Sequence, residues 1–342
     1  MIETYRHNGV FPLERGGELH DIEIAYSTFG KMNSRGDNVI WVCHALTANS
    51  DVADWWPNTV VDGGFLDPEK WFVVCANILG SNYGSTGPLS LNPQTGKPYY
   101  SEFPKITIRD IVKAHILLSE HLGIGNIHAL VGSSLGGFQA MEWALLQPER
   151  IKKLVLIATD SNVTPWAAGL NETQHMAIKA DKTYGENNEE AGKEGMAAAR
   201  AIALLSYRGP SGYNLSQKNN DSTPEYSHRV ATYQTYQGEK LCRRFNAYSY
   251  MTILDAFDSH DVTRGRNGNE AEVLGRIKAE TACIAIPTDI LFPPETMKKL
   301  TKAITGARYF EISSEFGHDG FLVEHQQLND ILNIFLDPFN NI

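Results

Sequence analysis

The 342-residue chain has few cysteines, no long apolar run and no excess of basic charge. Each absence removes a class of function. Its four cysteines, Cys43, Cys75, Cys242 and Cys283, lie far apart and form no C-x-x-C pair, which argues against a disulfide framework or a metal site built on zinc-binding cysteines. Three of them sit in apolar, strand-like runs and are expected to be buried, reduced thiols. No apolar stretch approaches the roughly 18 residues of a membrane span. The N-terminal residues MIETYRHNGVFPLERGGEL lack the basic start and apolar core of a signal peptide, so a soluble, cytoplasmic protein is expected. A formal charge of −10 argues against nucleic acid or an anionic membrane as partner, since either normally needs a net basic face. A local basic pocket for a small anion is compatible with that charge. The length allows one large α/β domain or a core with an insertion.

What is present is concentrated between Ile127 and Thr159. An apolar strand (Ile127 to Val131) leads into the turn Gly132-Ser133-Ser134-Leu135-Gly136-Gly137, then an amphipathic helix (Phe138 to Leu146) and a second buried strand (Ile151 to Ala158). A Gly-x-Ser-x-Gly string inside a βαβ unit predicts a nucleophile elbow. Such a turn lifts a serine hydroxyl above the sheet, and small residues on both sides let the backbone pass. Ser134 is the raised residue. The amide of Leu135 falls at the helix N-terminus, where an unpaired N–H and the helix dipole can stabilise an oxyanion.

The rest of the chain supplies a sheet around this unit. Glu18 to Gly30 alternates like a half-exposed antiparallel strand, whereas Asn38 to Thr47 and Trp71 to Ile78 are continuous apolar runs, as buried strands are. The first of these runs ends in His44-Ala45-Leu46-Thr47, and the backbone amide of Leu46 is the candidate second oxyanion donor. A long Gly, Ser, Asn and Pro loop follows Ile78, and Ile106 to Leu122 has helical spacing with Thr107 as cap. Between Val163 and Ala279 the texture is helical and polar, with a loop expected from Gly209 to Pro224. Strand texture returns at Thr281 to Ile290 and Ala307 to Ser313. The expectation is an α/β core (1–162 and 278–342) with a mostly parallel central sheet and helices on both faces. A helical lid is inserted at 163–277.

Asp289 ends one late strand and His318 follows the next, in the order Ser, acid, His that such elbows use. His318 would take the proton of Ser134, and Asp289 would orient the imidazole. The rivals are weaker: His44 comes too early in the chain and His260 belongs to the helical insertion. Asp319, adjacent to His318, is poorly placed to reach its ring.

Taken with HALT (44–47), NILGSNYGSTGP (77–88), NPQTGKPYYSEFPKITIRDIV (92–112), GSSLGGFQAMEWA (132–144), AARAIALLSYR (198–208), RRFNAYSY (243–250), DSHDVTRGR (258–266), DILFPPE (289–295) and GHDGFL (317–322), the chain resembles the homoserine O-acetyltransferases of methionine biosynthesis. The resemblance implies an α/β-hydrolase fold and ping-pong acyl transfer from acetyl-CoA, as co-substrate and not as bound cofactor, to L-homoserine. It also implies Arg200 as partner of the substrate carboxylate, Asp319 as partner of its ammonium, and a homodimer formed through the lid. The chain departs from the family pattern at Ala48, Ser81, Asn82, Asn246 and around Tyr184. These positions bear on the acyl pocket and leave succinyl transfer or a serine acceptor as alternatives. A carboxylic ester hydrolase with the same triad is a further alternative. The basic pairs Arg243, Arg244, Arg264 and Arg266 are read first as partners of local acids and second as holders of CoA phosphates.

Overall fold

The computed structural model of the chain describes residues 1–220 and 228–337. Eight strands form one sheet: β1 (Ile2–Pro12), β2 (Glu18–Phe29), β3 (Val39–Cys43), β4 (Phe72–Ala76), β5 (Ile127–Ser133), β6 (Ile151–Ile157), β7 (Glu280–Ala285) and β8 (Arg308–Glu311). Their spatial order is β1-β2-β4-β3-β5-β6-β7-β8. The strands from β4 to β8 run parallel, while β1 and β2 add an antiparallel edge. β3, β5, β6 and β7 are almost wholly buried, which explains why their sequences read as unbroken apolar runs. β1 has no counterpart in the sequence reading. Only Phe11 of its residues is buried, so it carries no apolar alternation to detect.

The helices are α1 (Val52–Trp55), α2 (Ile108–His121), α3 (Leu135–Leu146), α4 (Pro165–Lys179), α5 (Lys193–Tyr207), α6 (Pro210–Ser216), α7 (Arg229–Cys242), α8 (Ala247–Asp258), α9 (Glu270–Leu274), α10 (Pro294–Ala303), α11 (Gly320–Val323) and α12 (His325–Leu336). α2, α3 and α10 pack on one face of the sheet through Ile111, Phe138, Trp143 and Leu300. On the other face α1 and α12 contribute Val52, Leu328, Leu332 and Phe335. α2 begins at a capping box: Thr107 accepts from the Asp110 amide, and Asp110 accepts from that of Thr107. Among the described residues, six helices, α4 to α9, lie between β6 and β7. The expected loop from Gly209 to Pro224 is in part helix α6, which Pro210 can start because its missing N–H is unneeded in a first turn. Residues 221–224 of that loop lie outside the described residues.

A buried ion cluster joins the end of this helical segment to the core. Glu142 of α3 receives Arg109 of α2 and, at 2.6 Å, Arg266; Glu14 receives Arg109 and, at 2.9 Å, Arg264. Arg264 and Arg266 therefore do pair with local acids. Because Glu142 serves two guanidiniums with its side chain only 4% exposed, removing it strands both. Glu142→Ala is expected to cost about 3 kcal/mol of stability. Chemical denaturation of the two proteins measures the difference, and a loss below about 1 kcal/mol would show the cluster to be solvated like a surface pair.

Candidate active site

The turn after β5 is tighter than the sequence implies, since β5 runs through Ser133 and α3 begins at Leu135. Ser134 alone makes the corner, at φ 54° and ψ −127°, a conformation that a residue with a side chain rarely adopts. Backbone approach explains the flanking glycines. A Cβ on Gly132 would lie 2.1 Å from the carbonyl oxygen of Gly136, and one on Gly136 would lie 2.0 Å from that of Cys43. The start of α3 is thereby pressed against the end of β3. The corner is further held by hydrogen bonds from the Ser134 amide to Ile157 O at 3.0 Å and from Thr159 Oγ1 to Ser134 O at 2.9 Å.

Asp289 and His318 come together after β7 and β8. His318 Nδ1 lies 2.7 Å from Asp289 Oδ2, and both residues are buried. The other carboxylate oxygen, Oδ1, accepts the amides of Leu291 and Phe292 at 2.8 and 2.9 Å, so the acid is fixed before it orients the ring. Burial opposes charge on His318. The negative charge of Asp289, its hydrogen bond and the charge of Asp319 outweigh burial and hold the imidazole pKa above its ordinary value. Among the described residues no hydrogen bond joins Ser134 to His318. Such bonds often tighten only when substrate is bound.

Ser134 and His318 line one cavity of about 460 Å³ together with Leu46, Arg200, Tyr207 and Asp319. Neither the Leu46 nor the Leu135 amide has a hydrogen-bond partner among the described residues. Arg200 likewise has no ion-pair partner among them, and its guanidinium stands 5.5 Å from the centre of the Tyr207 ring. Asp319 meets Arg208 at 3.3 Å. Burial raises its carboxyl pKa, and the positive charges of Arg208, Arg200 and His318 pull in the opposite direction.

The neighbours Tyr83, Tyr207 and Lys240 on the cavity wall, and Arg208 beside Asp319, are not picked out by the sequence reading. Tyr207 had a usable signal, since it follows Arg200 by seven residues on α5 and so shares its face. Arg244 departs from the reading as a partner of local acids. It lines the cavity and donates to Thr47 O and the Tyr83 hydroxyl. His260 is excluded as the base: it is buried with its pKa pushed down to about 3, stacks on Phe138 at 3.9 Å and contacts Asp160 O. The cysteines are all free, three of them buried. No described helix is long and apolar enough to cross a membrane.

An alkyl phosphonofluoridate, which traps an activated serine as a covalent adduct, is expected to label Ser134. Only neutral His318 can accept the proton, so labelling should rise with pH through a midpoint above 6.5. Asp289→Asn should slow it roughly 10³-fold or more. Peptide mass spectrometry at stepped pH checks both, and a midpoint below 6.5 would contradict the role of the two acids.

A family model described as the α/β hydrolase fold matches residues 38–325. The homoserine O-acetyltransferase of Cyclobacterium marinum is 44% identical over 323 residues, covering 94% of this chain and 92% of that protein. Homoserine O-acetyltransferase from Bacillus anthracis superposes with a TM-score of 0.93 at 23% identity, covering 98% of this chain and 97% of that one. Esterase E22 superposes with a TM-score of 0.88 at 24% identity, covering 98% of this chain and all of the other (100%). At such identities the two structures speak for the fold alone.

Proposed function

Because the chain belongs to the homoserine O-acetyltransferases, within the α/β-hydrolase fold, we propose that it moves an acetyl group from acetyl-CoA to the side-chain hydroxyl of L-homoserine through an acyl-enzyme on Ser134. The observation that carries this reading is the content of one cavity. A serine on a strained corner and a histidine face the same space as Arg200, which lacks an ion-pair partner among the described residues, and as the carboxylate of Asp319. A hydrolase needs the first two groups only. An amino-acid acceptor needs all four, because its carboxylate wants a guanidinium and its ammonium wants an anion.

In the first half-reaction His318 takes the proton of Ser134 as Oγ attacks the thioester carbonyl. The amides of Leu46 and Leu135 receive the developing negative charge. Collapse of the intermediate breaks the C–S bond, and the CoA sulfur leaves with the proton from His318. In the second half-reaction Arg200 and Asp319 hold homoserine by its two charges while His318 deprotonates the side-chain hydroxyl. That oxygen attacks the acetyl-serine, and His318 returns the proton to Ser134. Lys240 and Arg244 on the cavity wall offer positive charge to the donor's phosphates. Helices α4 to α9 serve as the lid that keeps water from the acyl-enzyme. The same segment is read as the surface of a homodimer, in keeping with exposed Met176 and Leu205. A cytoplasmic location completes the reading.

Thiol release from acetyl-CoA and succinyl-CoA, with and without L-homoserine or L-serine, tests the reading. Release beyond one equivalent per enzyme is expected to require acetyl-CoA and homoserine together, and all release is expected to vanish in Ser134→Ala. Release indifferent to any amino acid would make water the acceptor and favour the esterase reading. Arg200→Ala is expected to raise the KM for homoserine at least tenfold while leaving that for acetyl-CoA within about twofold, since it removes one partner of a charge-assisted pair. An equal rise for both substrates would remove Arg200 from the acceptor site.

A further inference from the structure

One buried histidine beside the site has no part in the proton transfers. His44 follows β3, is fully buried and does not line the cavity. The backbone N–H of Ile78 points to its Nε2 at 3.2 Å. An amide N–H can only donate, so Nε2 is the acceptor and the ring proton resides on Nδ1. Nδ1–H therefore donates to the carbonyl of Ala45, 2.8 Å away. Burial pushes the imidazole pKa down to about 4, which keeps this arrangement neutral.

The Ala45 carbonyl and the Leu46 N–H belong to the same planar peptide and point in opposite directions. Fixing the oxygen on one side aims the hydrogen on the other. The preceding carbonyl, that of His44 itself, accepts from Gln139 Nε2 at 3.1 Å, and the same amide reaches Leu135 O at 3.3 Å. The segments carrying both candidate oxyanion donors are thus tied to one buried side chain. The peptide between them is held at its carbonyl, Ala45 O, by two donors: the Ala48 amide at 3.1 Å, which closes a backbone turn, and the His44 ring, which is the one side chain of the two.

We propose that His44 is a positioning residue for acyl transfer: its Nδ1–H, acting together with the Ala48 amide on the same carbonyl, fixes the rotation of the Ala45–Leu46 peptide and so aims the Leu46 N–H at the oxyanion. The inference rests on the reading of Ser134 as nucleophile and Leu46 as oxyanion donor. It adds a cause for the direction of that donor. It also gives a purpose to the ordered loop after β4, which presents the Ile78 amide and thereby selects the tautomer.

The two ring nitrogens can be tested separately, because an asparagine amide reproduces the reach of Nδ1 and a glutamine amide that of Nε2. Acyl-enzyme formation from acetyl-CoA is followed by rapid quench and intact-mass spectrometry in His44→Ala, His44→Asn and His44→Gln, each with its thermal midpoint and KM. His44→Ala is expected to slow acylation roughly 10- to 100-fold, somewhat less than outright loss of an oxyanion donor, with the KM for acetyl-CoA little changed. His44→Asn should recover most of the rate and His44→Gln should not, whatever their relative thermal midpoints. If His44→Ala does not fold, the Asn and Gln variants alone decide. Wild-type acylation in all three variants, or rates that simply follow thermal stability, would overturn the inference and leave the nucleophile reading standing. Failure of that reading has a different signature, acyl-enzyme still forming in Ser134→Ala, and the inference would then fall with it.

Discussion

Where Gly136 passes the carbonyl of Cys43, the backbones are so close that a single added carbon would sit 2.0 Å from oxygen. This crossing sets the geometry of the site. It brings the N-terminus of α3 against the end of β3, so that two loops distant in sequence share the space above Ser134. The corner at Ser134 is strained, and the strain is sustained by neighbours. Strand β6 supplies an acceptor to the Ser134 amide, Thr159 supplies a donor to its carbonyl, and α3 starts without a spare residue. The parallel sheet underneath supplies rigidity, because its central strands are buried on both faces and leave no room to shift.

Charge is distributed in the same purposeful way on a chain that is acidic overall. Arg109, Arg264 and Arg266 are consumed by Glu14 and Glu142 and fasten the last part of the helical segment to α2 and α3. Arg200, Lys240 and Arg244 are left at the cavity, where the substrates of the proposed reaction carry negative charge. Basic side chains thus have two fates, paired with acids in the ion cluster or left on the cavity wall without an ion-pair partner among the described residues.

Much of this was legible in the sequence, for reasons that differ from place to place. The elbow could be read because glycine spacing reports directly on backbone contact, and contact is what the turn requires. Asp289 and His318 could be read because strand texture precedes each and the order of such residues along the chain is constrained by sheet topology. β1 could not be read, since a strand with one buried residue has no pattern. Helix α6 was obscured by glycine, serine and asparagine, whose turn preference yields here to a proline at the right position. Tyr83 and Arg244 reach the cavity, and Arg208 reaches Asp319, by tertiary packing alone. Arg264 and Arg266 look no different from Arg244 in sequence, and only the fold separates those paired with acids from the one that lines the cavity.

Under the proposed reaction, the contact between Arg208 and Asp319 bears on discrimination between acceptors. Asp319 is not a solitary buried carboxylate, for the Arg208 guanidinium stands 3.3 Å away. On that reading an arriving ammonium would enter as a competing counter-ion, and acceptor binding would be an exchange of one cation for another. Water and simple alcohols bring no charge to that exchange. They would leave the carboxylate with Arg208, and the ion pair would then act as a latch turned by a cationic acceptor.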